Sequence, residues 1–149
     1  MNPLRQHHHA VAVAGLSART TNADEANPAT GRIPALWGRF FGENVMGTTP
    51  HRDPAEMRNF GVYSNYESDA QGAFDVTAGV AVTEGATVQI EPGDYLVFEA
   101  HGPMPYAVVA AWAAAWQYFE AHPEIKRRYV SDFEAYTSPI SATVHVGVD

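Results

Sequence analysis

Two stretches of this chain, offset by about seventy residues, read as the same succession of elements: a strand, a helix with tryptophan on its apolar face, then a hairpin. Each half alone leaves strand edges open, and two halves joined edge to edge cover them. The first half opens with a strand over residues 10–21, rich in Val, Ala and Thr. Residues 22–31 carry Asn, Asp, Pro and Gly and read as a loop. Ile33, Leu36, Trp37, Phe40, Phe41 and Val45 then recur at i, i+3, i+4, i+7, i+8 and i+12, one face of a helix. Pro34 suits its first turn, and Gly47 and Pro50 end it. Residues 60–67 and 73–83 read as a hairpin turned at 68–72.

The second half repeats the order. Residues 87–90 form a short extended lead-in, Pro92-Gly93-Asp94 a turn, and residues 95–100 a strand. A second helix runs from Gly102-Pro103-Met104-Pro105 to about residue 121. Val108, Val109, Trp112, Trp116 and Phe119 line one face of it, and alanine fills most of the rest. His122-Pro123 stops it, and residues 128–136 and 142–148 are two final strands. The expected fold is therefore α+β: two pseudo-symmetric strand-helix-strand-strand modules, one antiparallel sheet, two main helices and a groove between the halves. Residues 1–9 read as a tail and 10–149 as a single domain, with Phe40, Phe98 and Phe119 in its core.

Composition narrows the function. Seventeen acids stand against nine bases, a net charge of −8, which repels nucleic acid but not cations. With no cysteine, disulfides, thiolate catalysis and Cys-ligated zinc are excluded. His51, His101, His122 and His145 match no metal-ligand spacing, and His7 to His9 read as part of the tail. No phosphate loop, His-Glu-x-x-His, EF-hand loop or G-x-S-x-G elbow occurs, so neither metal nor cofactor is expected. No apolar run is long enough to span a bilayer and no signal peptide is read, so no membrane partner and a cytoplasmic location are expected.

Aromatic density near a few acids is the remaining signal: 3 Trp, 7 Tyr and 7 Phe. It has two readings, an aromatic core or a cage for a flat cation. Strand alternation puts Asp132, Glu134 and Tyr136 on one face and Phe133 and Ala135 on the other. Glu134 is either a solvated residue on an edge strand or a buried acid kept for a partner, since an unpaired buried carboxylate costs several kcal/mol.

Several blocks bear on that choice. Residues 31–40, Gly-Arg-Ile-Pro-Ala-Leu-Trp-Gly-Arg-Phe, resemble the first-helix motif of the GyrI-like family of small-molecule-binding domains. That family includes the effector-binding domains of AraC-type and MerR-type multidrug regulators. Residues 63–69 and 74–80 resemble its first hairpin, and residues 92–98 its turn and strand before the second helix. Asp132-Phe133-Glu134-Ala135-Tyr136 resembles its D-F-E-x-Y signature. The blocks keep the family's order across residues 10–148, and the likeness is to stand-alone members, including integron-cassette proteins that bind cationic drugs.

The resemblance implies a non-catalytic module that binds a lipophilic cationic or aromatic small molecule, with Glu134 at the base of the groove opposite a cationic ligand. Trp37, Phe41, Tyr63, Tyr66, Trp112, Trp116 and Tyr136 are the expected aromatic wall. The family's regulators carry a DNA-binding domain ahead of this one. Only about nine residues precede the first strand here, so any regulator is expected to be a separate chain, and a homodimer is left open. Two alternatives come with the family. One is hydrolysis of reactive cyclopropane-bearing compounds, with Glu134 as general base beside Tyr136 or Tyr63. The other is a gyrase-inhibitor-like protein interaction.

Overall fold

The computed structural model describes residues 2–149. Eight strands, β1 (Leu4–His8), β2 (Val11–Thr20), β3 (Asn59–Ser64), β4 (Phe74–Ala81), β5 (Val88–Ile90), β6 (Gly93–His101), β7 (Ser131–Ser138) and β8 (Ser141–Val148), form one antiparallel sheet. Four helices accompany them: α1 (Asn22–Glu25), α2 (Ile33–Gly42), α3 (Val45–Thr48) and α4 (Tyr106–Ala121). The strand order is β1-β6-β8-β7-β3-β4-β2-β5. The two modules therefore meet at the β7–β3 pair, in the middle of the sheet, as the α+β two-module reading requires.

Each helix covers its own module. Leu36 and Phe40 of α2 bury against Ala14, Val76 and Val80, and Val108, Ala111 and Ala115 of α4 bury against Leu96, Phe98, Val144 and Val146. Alanines on α4 let it lie close to the sheet. On the opposite face, Val13, Phe60, Val62, Ile90, Tyr95 and Phe133 form a third cluster inside the curl of the sheet.

Several elements differ from the sequence reading. Residues 4–8 of the tail form β1, paired with β6 from Leu4↔Val97 to His8↔Gly93. Residues 88–90 are no lead-in to β6: β5 pairs with β2, at the far edge of the sheet. The buried Ile90 explains the distance, because it fills the third cluster beside Val13. The first helix ends at Gly42, and Asn44, left-handed at φ 52°, separates it from α3. The loop at 22–31 contains a single helical turn, α1, whose Asp24 N–H is capped by the Thr21 hydroxyl at 3.0 Å. Left-handed Asn65 stops β3 before residue 67, and left-handed Tyr129 delays β7 to Ser131. Phe40 and Phe98 are buried, whereas Phe119 is only half-buried. No helix among the described residues is long and apolar enough to cross a membrane.

Candidate functional site

Glu134 lies on β7, at the boundary between the two modules, and pairs directly with Gly61 of β3. It is only 3% exposed. β7 is a central strand, so the solvated-edge reading of this residue does not hold. Three donors from three elements converge on its carboxylate. Tyr63 of β3 donates to Oε2 at 2.6 Å, Trp112 Nε1 of α4 donates to the same oxygen at 2.6 Å, and Tyr136 donates to Oε1 at 2.6 Å. Tyr136 reaches it because residues two apart on a strand share a face.

The electrostatics follow from that geometry. Burial raises the carboxyl above its ordinary value, and the hydrogen bonds from Tyr136, Tyr63 and Trp112 pull it partly back. Burial and the neighbouring Glu134 push both tyrosines far above their ordinary range, so they stay neutral donors. Among the described residues no lysine, arginine or histidine forms an ion pair with Glu134. The acid is hydrogen-bonded but its charge is not neutralised.

Aromatic rings surround it. Trp37 of α2 stands edge-on to Tyr136 at 5.2 Å, and Tyr63 edge-on to Trp112 at 5.1 Å. Trp116 stacks on Trp112 at 5.3 Å, and Phe41 lies 6.1 Å from Trp37. Trp116 and Phe41 are the solvent-facing members, 37% and 58% exposed. Phe41 is thus a rim residue and not part of the helix's buried face. Two clefts, of about 240 and 220 Å³, lie on other parts of the surface and include neither Glu134 nor these rings. Glu134 itself is closed off from solvent, with the Trp112 indole hydrogen-bonded to it.

Of the seven aromatic residues expected from sequence, six gather around Glu134. Tyr66 does not: its hydroxyl donates to Asp132 instead. Gly61 was missed. A Cβ there would stand 2.8 Å from Glu134 Oε1 and 3.1 Å from Trp37 Cζ2, so glycine leaves the room the acid and the indole occupy. A glycine inside a strand is the available signal for such a close approach. Asp132, Arg127 and Tyr129 form a second polar cluster with Tyr66 and were also missed.

A sheet of two joined modules, a helix over each and a buried acid between aromatic rings at the junction define a small-molecule-binding domain. The chain belongs to the family of integron-associated effector-binding proteins, whose sequence profile matches residues 8–146. It is similar to an integron cassette protein from the mobile metagenome of Vibrio cholerae, with 35% identity, 99% of this chain and 96% of that one covered, and a TM-score of 0.83. A protein solved bound to tetraphenylphosphonium, SAV2435, shares the fold at 17% identity, with 100% and 94% coverage and a TM-score of 0.79. No protein among the curated ones matches the chain.

Proposed function

We propose that this protein binds lipophilic aromatic cations over Glu134, without turning them over, and that it sequesters such compounds or presents their arrival to a separate regulator in the cytoplasm. The observation that carries the reading is a carboxylate, 3% exposed, with three neutral donors and no counter-ion among the described residues. A cation arriving there gains a desolvated charge pair, and the rings of Trp37, Trp112 and Tyr136 each add about 0.5–2 kcal/mol. Together these approach the roughly 8 kcal/mol of micromolar affinity. The structural neighbour that holds tetraphenylphosphonium supports the same ligand class. A hydrolytic role asks Glu134 to take a proton from water, and its two oxygens already accept three short hydrogen bonds.

Tryptophan fluorescence tests the proposal. Tetraphenylphosphonium and neutral triphenylphosphine oxide are titrated into wild type and Glu134→Gln. Wild type should show saturable quenching by the cation as Trp112 moves. Glu134→Gln should weaken the cation by about 10- to 100-fold, the worth of one charged contact, and leave the neutral compound within about twofold. Equal loss for both compounds, or no loss, defeats the anchoring role.

A further inference from the structure

Asp132 sits two residues before Glu134 on β7, and its surroundings repeat those of Glu134 one step along the strand. Each acid takes a tyrosine hydroxyl from the β3 region, Tyr63 for Glu134 and Tyr66 for Asp132. Glu134 accepts from Trp112 of α4, Arg127 beside Asp132 lies over Trp116 of the same helix, and the two tryptophans stack on each other at 5.3 Å. The difference is the cation. Arg127 donates to Asp132 Oδ2 at 2.9 Å, and its guanidinium lies 4.8 Å from the Trp116 ring and 4.4 Å from the Tyr129 ring. The Gly147 N–H donates to the other oxygen at 2.7 Å. The Arg127 and Asp132 side chains are 7% and 0% exposed.

The chain thus holds a planar cation between aromatic rings over a buried acid, built from its own residues. Its grip is incomplete. The guanidinium gives one N–H to Asp132 where a forked pair would give two, and Arg127 Nε is buried without a partner. Tyr129, a wall of this box, sits in the left-handed region at φ 54°, which turns the chain so that Arg127 folds back onto β7.

The geometry points to a second cation subsite at Asp132, walled by Trp116, Tyr129 and Tyr66, whose resident cation is Arg127 and whose external ligand is a guanidinium or amidinium group. A planar N–H cation is required, because Asp132 receives a hydrogen bond that a phosphonium or quaternary ammonium cannot supply. The two acids are one strand repeat apart, about 7 Å. A rigid dication of that spacing, anchored at Glu134, reaches Asp132 and displaces Arg127. That last step rests on the proposed role of Glu134; the subsite itself does not.

Two experiments test this. In the first, Arg127→Ala is melted with millimolar methylguanidinium or tetramethylammonium, beside wild type at equal concentrations. Methylguanidinium should raise the melting temperature of the variant saturably and leave wild type unchanged. Tetramethylammonium should do neither, and the gain should vanish in Arg127→Ala/Asp132→Asn. It should persist in Arg127→Ala/Glu134→Gln; its loss there places methylguanidinium at Glu134 and overturns the subsite. The second experiment uses Arg127→Lys, which keeps the charge and the fold but loses the stacking plane. A para-phenylene bis-amidine should bind it about tenfold tighter than wild type, with benzamidine unchanged within twofold. No methylguanidinium rescue, or the same bis-amidine preference in both proteins, overturns the proposal. Rescue without any binding of tetraphenylphosphonium to wild type leaves the subsite standing and removes the proposed function instead.

Discussion

Gly61→Ala is the sharpest structural test of the Glu134 site, because it changes neither charge nor hydrogen-bonding capacity. The new methyl would lie 2.8 Å from Glu134 Oε1 and 3.1 Å from Trp37 Cζ2, where ordinary contact is roughly 3.5 Å or more. The backbone cannot give way easily. Gly61 is paired on both sides, with Ala78 of β4 and Glu134 of β7. The carboxylate and the indole must move instead. Oε1 is the oxygen that accepts from Tyr136 at 2.6 Å, so that bond is the first to lengthen. Loss of a hydrogen bond to a charged group costs about 1.5–3 kcal/mol. Replacing a strand glycine returns about 0.5–1 kcal/mol. The net cost is about 1–2 kcal/mol, a fall in melting temperature of about 2–8 °C for a chain of this size. Circular dichroism melts measure it, and fluorescence titration of the same sample should show tetraphenylphosphonium weakened about tenfold or more. The neutral analogue should weaken too, since the methyl blocks by shape, and this separates the variant from Glu134→Gln. A melting temperature within about 1 °C of wild type, with unchanged affinity, would refute the close approach.

Three further outcomes are expected. Tetraphenylphosphonium is a permanent cation, so its affinity should fall as pH drops through the raised Glu134 value, by up to one decade per pH unit, and be flat in Glu134→Gln; a flat wild-type profile contradicts the linkage. Tyr63→Phe removes one donor from Oε2, so it should shift that profile to higher pH and cost about 1.5–3 kcal/mol of stability by denaturant titration. His145, stacked on Phe133 and held down to about 3 by burial, binds its proton only in the unfolded chain between its ordinary value near 6.5 and pH 3. Its stabilising effect is thus full above pH 6.5 and is lost as pH falls, by up to about 1.4 kcal/mol per pH unit, and His145→Phe should show a shallower acid slope than wild type.

What the sequence reveals here is what is local. Helix spacing at Ile33–Phe40 and strand alternation at Asp132–Tyr136 follow from backbone geometry within a few residues, so the two-module fold and the shared face of Glu134 and Tyr136 are legible. What it hides is pairing at a distance. β5 lies next to β6 in the chain yet pairs with β2, because burial of Ile90 outweighs proximity in sequence. β1 reads as a tail because its side chains are almost all exposed; it is held by backbone bonds to β6 and by Arg5 on Asp94. Tyr66 lies beyond the end of β3 and the left-handed turn at Asn65, and from there its hydroxyl reaches Asp132 instead of Glu134. No periodicity encodes such a turn.

The two acids on β7 differ in what partners them: Asp132 holds Arg127 as a resident cation, and Glu134 holds neutral donors. Both are buried and both are hydrogen-bonded by tyrosine. Had Glu134 a resident arginine, an external cation would have to displace an ion pair already desolvated, and little net affinity would remain. Neutral donors act differently. Three of them keep the carboxylate in one orientation without cancelling its charge, which is what the proposed cation binding needs. The cost is a carboxyl whose ionised form is disfavoured in the free protein. A cation bound as proposed would favour the ionised form, so charge selectivity and pH dependence are two readings of one coupling. Trp112 joins the parts: it donates to the acid, packs against the cores of both modules, and stacks on the tryptophan that covers Arg127. Under the proposed function, a ligand that displaced Trp112 would therefore disturb both halves of the sheet and the Asp132 box together.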